Sequence, residues 1–320
     1  MTTRGSIEMS KLAQFLPRPV RVRGRRYQAA LKSRIANFLL RGIDPSAVLS
    51  LAQERFGAVS ITVSGRQGIF EGGIEDRSII TKYGMKGEWS KRTIDLVMEA
   101  VGKADNALYL DIGANVGLTS IPIAARGVET LAFEPEPKNF GYLKLNMLRN
   151  GVDGAMVALN LALSNEAGPV LFEKSPNNLG DHRIRAGSHA NLLGENDWAV
   201  ETVNASRLDD CGVDISRPLA IKVDTQGAEP FVYAGGVKTF AAAKLVILEF
   251  SPYAMYRMGA DPAELIEYLS GFRSVSFGVG EGDDVTEIGS GEKVAEMLSG
   301  FYRENWDKPV GAYVDIIARR

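Results

Sequence analysis

A chain of 320 residues allows one large domain, or one domain with an N-terminal extension. Its 45% hydrophobic and 24% charged content suit a soluble globular protein with ample core material, and a net charge of −2 gives no overall pull toward nucleic acid or anionic membranes. The lone Cys211 rules out an internal disulfide framework, no apolar run approaches the ~18 residues of a membrane-spanning helix, and the opening residues lack a signal-peptide core, so a cytoplasmic location is expected.

Residues 1–56 differ in character from the rest. No acidic residue falls between Glu8 and Asp44, while Arg18, Arg21, Arg23, Arg25, Arg26, Lys32, Arg34 and Arg41 crowd together. Such a block reads as a patch for phosphate, nucleic acid or an anionic surface, or as a solvated helical face with a loose basic tail; the second is commoner. Nucleic acid is therefore not an expected partner, and contact of residues 11–41 with an anionic surface should be weak. Asp44-Pro45 supplies the cap and first-turn proline of a helix carrying Val48, Leu49, Leu51, Ala52 and Phe56. Residues 60–70 alternate around Gly65, as a hairpin does. The extension with its hairpin is placed at 1–75 and the main domain at 76–320. Residues 76–89 read as a glycine-containing loop able to close over a ligand, with Trp89 either a ligand contact or a core anchor. Ile94, Val97 and Met98 then mark an amphipathic helix ending near Val101.

The stretch Ala107-Leu-Tyr-Leu-Asp-Ile-Gly-Ala-Asn-Val-Gly-Leu118 organises the remainder of the chain. A short apolar run ends at Asp111, Gly113 and Gly117 bracket a loop, and a helix comes next with Pro122 tolerated in its first turn. This is the opening unit of a doubly wound parallel sheet, which binds ligands at the carboxyl ends of its strands. Residues 130–133 give a second strand stopping at Glu134. Pro137 starts a helix with Phe140, Leu143, Met147 and Leu148 on one face, closed by Asn150-Gly151. Residues 155–164 form a third strand. Residues 168–174 and 199–205 alternate like an antiparallel pair, and between them lie both histidines, His182 and His189. The parallel pattern resumes with a strand at 218–224, a helix opening at Gly227-Ala-Glu229 and a strand at 244–250. A helix from Asp261-Pro262 through Leu269, strands at 272–279 and 313–318, and a helix around 292–306 complete an α/β chain.

Several of these residues can carry chemistry. Glu134, 21 positions after Gly113, is placed to accept both ribose hydroxyls of an adenosine. Asp111 belongs to the same strand-end set, facing a ligand amino group or bracing the loop. Ser164 and Asn165 could meet an adenine edge or simply form a turn. Asp224 ends the fourth strand and is a candidate base, or a turn-initiating aspartate. Lys222 sits in an apolar run and needs a buried partner, for which Glu249 is chosen; Glu249→Gln should then destabilise strongly. His182 is a second candidate base, its proton affinity raised by Asp181, or a solvated loop residue. Arg183 could hold an anionic or glycosidic substrate, and Glu229 could contact substrate or favour its helix N-terminus. No metal is expected, because His182, His189 and Cys211 match no usual zinc spacing.

Taken in order, Leu110-Asp-Ile-Gly-Ala-Asn-Val-Gly117, Ala132-Phe-Glu-Pro-Glu-Pro137, Asn146 to Asn150, Ala162-Leu-Ser-Asn165, Ile221-Lys-Val-Asp-Thr-Gln-Gly-Ala-Glu229 and Leu248-Glu-Phe-Ser-Pro252 resemble the FkbM family of S-adenosylmethionine-dependent methyltransferases. The resemblance covers roughly residues 76–270. It implies a class I methyltransferase (Rossmann-like) fold: a mostly parallel sheet with helices on both faces, an antiparallel insertion between the third and fourth core strands, and here an N-terminal helical and hairpin extension. It also implies S-adenosyl-L-methionine as cofactor, with Asp111, Gly113, Asn115, Gly117 and Glu134 around it. O-methylation of a sugar, glycan or polyketide-like small molecule is the activity implied. One departure is Gln226, where the family usually has an acidic residue, which bears on substrate type. Two alternatives stand beside this reading. One is an NAD-dependent oxidoreductase, disfavoured by the absent third glycine. The other is a non-catalytic scaffold docking through its basic N-terminus.

Overall fold

The computed structural model describes residues 49–50, 53–55, 57, 59–76, 78–176, 178–185, 190–278 and 285–320. The basic stretch, the Asp44-Pro45 helix start and His189 lie outside the described residues. Residues 49–320 form one compact unit.

Its centre is an eight-stranded sheet. Five parallel strands come first, in the order β5 (Met156–Leu159), β4 (Glu129–Phe133), β3 (Leu108–Ile112), β10 (Leu219–Val223) and β11 (Ala243–Phe250). β14 (Val314–Arg319) then runs antiparallel to β11, followed by β12 (Ser274–Gly278) and β13 (Val285–Gly289). All five residues of β3 are buried, which is why it reads as a continuous apolar run rather than an alternation. Its odd and even positions feed different layers. Tyr109 joins Ala220, Leu245 and Ile317 under α2 (Lys91–Ala100), whereas Leu110 and Ile112 join Ile221, Val246 and Leu248 on the other side. Each fully buried Leu or Ile contributes roughly 1.5–3 kcal/mol, so these two layers fix the strand register.

The strand order reverses between β3 and β10, and there two backbones meet closely. Asp224 donates its N–H to the Ile112 carbonyl at 2.9 Å. A Cβ on Gly113, whose φ is +82°, would sit 1.9 Å from the Asp224 carbonyl oxygen. Only glycine allows this approach. Gly117 is needed for a different reason: with φ +90° it packs against Ile121 and Leu143 rather than facing a ligand.

Four expectations change. The segment read as a closing loop contains α1 (Ile80–Lys86), whose Ile80 and Tyr83 are buried. The third strand is broken: β5 stays in the main sheet, while β6 (Ala162–Leu163) enters a second sheet. The break falls at Asn160, whose amide donates to the carbonyls of Glu134 (2.9 Å) and Pro135 (2.8 Å) and supplants the ladder. Leu148 is not on the buried face of α4 (Pro137–Asn150); it is 63% exposed, and Asn146 takes the inner position. β13 and α7 (Pro252–Met258) were not anticipated.

The insertion is a four-stranded sheet in the order β6, β9 (Ala199–Ser206), β7 (Gly168–Lys174), β8 (Arg183–Ile184). The antiparallel pairing of β7 and β9 is as expected, with β6 added parallel to β9. The hairpin β1 (Ser60–Gly65) and β2 (Gly68–Gly73) packs on α4. Asn146 and Asn150, one helical turn apart, meet Glu71 and Ile69, two strand residues apart. Each asparagine accepts the N–H and donates to the C=O of its partner, so helix side chains pair the strand edge. Among the described residues no helix is long and apolar enough to cross a membrane.

Candidate active site

At the carboxyl ends of the parallel strands lies a cavity of about 510 Å³, within the usual range for small-molecule sites. Its wall includes Gly113, Asn115 and Glu134, which follow β3 and β4, Lys222 and Asp224 on and just after β10, and Glu249 and Asp315 from β11 and β14, with Trp89 and His182.

Glu134 is buried, and its two oxygens accept the backbone N–H groups of Asn115 (2.7 Å) and Glu136 (2.9 Å). Desolvation outweighs those bonds and pushes its carboxyl up to about 8. Each oxygen keeps a second lone pair for a ligand hydroxyl. Asn115 has φ +51°, and its amide donates to the Leu179 carbonyl at 3.3 Å. Its Oδ1 is buried and has no hydrogen-bond partner among the described residues. An acceptor without a partner in a cavity wall is costly unless a ligand or water meets it.

Asp111 does not reach the cavity. Fully buried, it accepts hydroxyl hydrogens from Thr119 (2.6 Å) and Ser120 and pairs with the Lys222 ammonium at 3.2 Å. It braces the loop, the second of its two sequence readings. Lys222 also donates to the Gly113 carbonyl (3.3 Å) and lies 3.5 Å from Asp224. Its expected partner Glu249 is therefore wrong. The pair is Asp111, directly opposite Lys222 in the β3–β10 register, and these carboxylates raise the lysine's proton affinity despite burial.

Glu249 instead accepts from the Gln226 side-chain amide at 3.0 Å, and burial beside Asp224, Glu229 and Asp315 raises its carboxyl well above the ordinary value. Asp315 faces Glu249 across the β11–β14 pairing, is bound by Arg92 at 2.9 Å, and is raised by burial to about 6. Sequence reasoning missed Asp315 and Arg92. The available signal was the antiparallel pairing of the last strand, which sets residue 315 against residue 249.

His182 lines the cavity, but not as a base. Its Nδ1 accepts the Ser175 N–H at 3.0 Å, and burial lowers its pKa to about 4, opposite to the rise expected from Asp181. A neutral imidazole with Nδ1 occupied carries its proton on Nε2 and is a donor. Arg183 is also corrected. It is buried outside the cavity wall, bonded to Glu173 (3.0 Å) and Glu195 (3.2 Å) and stacked on Trp198. Arg257, Arg185 and Tyr253 complete that network, which latches the insertion to α7.

Glu229 is likewise no substrate contact. It accepts from the backbone N–H groups of Thr225 (2.8 Å) and Gly227 (3.0 Å), shaping the turn after β10. Ser164 and Asn165 bond to each other outside the cavity wall, where Leu161, Ala162 and Leu163 stand instead. Trp89 holds its place because Gln67, in the hairpin turn, grips both its N–H and C=O at 2.7 Å. Among the described residues no group of three His, Cys, Asp or Glu side chains could hold a metal ion.

The parallel order β5-β4-β3-β10-β11, the antiparallel β14 inserted before β12, and the cavity at the reversal point define a class I methyltransferase fold. Residues 111–276, just over half of the chain, match the model of the methyltransferase FkbM domain. The chain belongs to that family. No curated protein matches it. Among solved structures it is similar to a transferase from Pyrococcus horikoshii (16% identity, 38% of this chain and 55% of that one, TM-score 0.27). A T. thermophilus 16S rRNA N2 G1207 methyltransferase in complex with AdoMet and guanosine gives 13% identity over 82% of this chain and 51% of that one, at TM-score 0.40. The METTL16 methyltransferase domain gives 13%, 86%, 78% and 0.38 respectively. The chain thus spans about half the length of the first two. Likenesses this distant carry no argument about substrate.

Proposed function

We propose that the protein is an S-adenosylmethionine-dependent O-methyltransferase acting on a hydroxyl of a sugar, glycan or polyketide-like small molecule. The observation that carries this reading is one cavity joining Glu134 and Asn115 to Asp224 across the sheet's reversal point. The residues fit the cofactor. Glu134 offers two acceptor oxygens for ribose hydroxyls, and the partnerless Asn115 Oδ1 needs a donor such as an ammonium or hydroxyl. Bound there, the cofactor would supply an electrophilic sulfonium methyl group whose leaving group is a neutral thioether.

The chain's own work is alignment and proton removal. Glu134 and the 113–115 loop hold one partner, while Asp224, Glu249, Asp315 and Trp89 orient the other and limit water. Such alignment contributes up to about 7–11 kcal/mol in favourable cases. Asp224 takes the acceptor's hydroxyl proton as the new O–C bond forms, an effect of roughly a hundred- to ten-thousand-fold. Lys222 keeps Asp224 turned toward the cavity.

Calorimetric titration with S-adenosylhomocysteine and with NAD tests the cofactor: heat with the first alone is expected, and heat with NAD alone would overturn the reading. Mass spectrometry of glycans and small metabolites from a deletion strain should then show a species lighter by one CH₂. Asp224→Asn should lower turnover on that acceptor by at least about a hundredfold with cofactor affinity retained; unchanged turnover removes Asp224 from the mechanism.

A further inference from the structure

Gln226 has φ +57°, a left-handed backbone that a side chain other than glycine adopts at a cost of about 1 kcal/mol. The sequence has a glycine only one position later, at Gly227. What the strained position gains is visible in its side chain. One amide nitrogen donates to Asp224 Oδ1 at 2.8 Å and to Glu249 Oε1 at 3.0 Å. An amide nitrogen has two hydrogens, so each carboxyl receives one. The amide is a neutral group, unlike the Lys222 ammonium that also approaches Asp224. Around the two acids stand Lys222 from β10, Asp315 and its partner Arg92 from β14 and α2, Glu229 from the start of the helix after β10, and Asp181 from the insertion.

Two carboxyls yoked this closely cannot both ionise cheaply, and their surroundings differ. Asp224 has a lysine at 3.5 Å. Glu249 holds its proton more firmly than an ordinary carboxyl, because burial and the negative charges of Asp224, Glu229, Asp315 and Asp181 oppose its ionisation. We propose that Gln226 is a positioning residue: it binds one oxygen of each acid and sets their spacing, so that Asp224 is placed to accept the hydroxyl proton while the free oxygen of Glu249 is placed to donate to a second oxygen of the acceptor molecule. The acceptor is then one that presents an oxygen beside the hydroxyl being methylated, as polyhydroxylated molecules do. This assignment rests on the proposed O-methyl transfer for its chemistry, but the yoke itself is a property of the protein alone.

The test is therefore run without acceptor. Carboxyl ¹³C shifts of the full-length protein, labelled at Asp and Glu, are followed against pH, and the Glu249 signal is assigned by its loss in Glu249→Gln. In the wild type it should titrate well above the ordinary value of 4.5. Gln226→Met keeps the side chain's length and removes the donor; the Glu249 midpoint should rise by about one pH unit. Gln226→Glu replaces the donor with a third acid and should raise it further. S-adenosylhomocysteine affinity should stay within about twofold in both variants, since Glu134 and Asn115 make no bond to Gln226 and keep their own. A Glu249 midpoint near 4.5 in the wild type, or one that moves by less than about 0.3 in Gln226→Met, overturns the yoke. Should the wild type bind no S-adenosylhomocysteine, the proposed function fails while the titration still decides the role of Gln226.

Discussion

Glu134 connects burial to binding most directly. Its carboxyl is held at about 8 by desolvation, whereas a ribose diol donating two hydrogens requires the ionised form. Ligand binding must then release a proton near neutrality, and affinity for S-adenosylhomocysteine should rise about tenfold between pH 7 and pH 9. Glu134→Gln should bind more weakly at pH 9 and lose that slope, both read by calorimetry in buffers of different ionisation heat. Lys222 and Glu249 give a contrasting pair. Lys222→Met strands the buried Asp111 and should cost about 3 kcal/mol in urea denaturation. Glu249→Gln exchanges one neutral hydrogen-bonding group for another and should stay within about 1 kcal/mol. The sequence reading expected the reverse for Glu249, because a lysine in an apolar run announces that it needs a partner but not which one. The partner sits 111 positions away in sequence and is reached only through the register of β3 against β10.

The elements that were legible are those whose signals are local. The helix Pro137–Asn150 carries its own cap (Glu136 accepting from Asn139), its first-turn proline and its left-handed Gly151. β3, β4, β10 and β11 are short apolar runs with polar strand ends, and those ends proved to be the cavity wall. Helix Ile80–Lys86 was hidden because Gly84 and Gly87 mimic a loop; Gly87 is its left-handed terminus. Arg183 resembled a substrate contact because its partners Glu173 and Glu195 come from other segments of the insertion. The asparagines of α4 were recognisable as a motif, yet their task, pairing the hairpin's edge, depends on a docking that no local pattern encodes. That task is testable. Asn146→Leu leaves the Glu71 N–H and two carbonyls without their partner in a buried setting. It should cost at least about 3 kcal/mol, from about 1–3 for each of the three groups left unpaired. Amide exchange at Ile69 and Glu71 should quicken, and because the hairpin turn grips Trp89, its fluorescence should shift as well. Unchanged exchange at those two amides would mean that the hairpin is held by its apolar face alone.

For the molecule as a whole, a sheet that gathers acids at its strand tips gains a binding site at the expense of stability. Glu134 (about 8), Glu229 (about 7) and Asp315 (about 6) all titrate above their unfolded values, each because burial disfavours the charge. Acids raised in the fold contribute stability below the unfolded value and lose it as pH climbs through the folded one. His182 acts in the opposite sense: lowered to about 4, it destabilises the fold as pH falls below 6.5. Above about pH 7.5 His182 is neutral and Asp315 ionised in both states, so both drop out and Glu134, Glu229 and the raised Glu249 remain. The melting temperature should therefore fall from pH 7 to 9, with the Glu229 share lost first and the Glu134 share lost as pH climbs through about 8. Glu134→Gln should flatten the fall, because its side chain no longer titrates. Saturating S-adenosylhomocysteine should flatten it too in the wild type, because a ligand that ionises Glu134 in the folded state removes the same mismatch. Thermal melts at fixed ionic strength, with and without ligand, separate these effects. A ligand that raises the melting temperature equally at pH 7 and pH 9 would show that Glu134 does not change protonation on binding, and the ribose would have to be held by other groups.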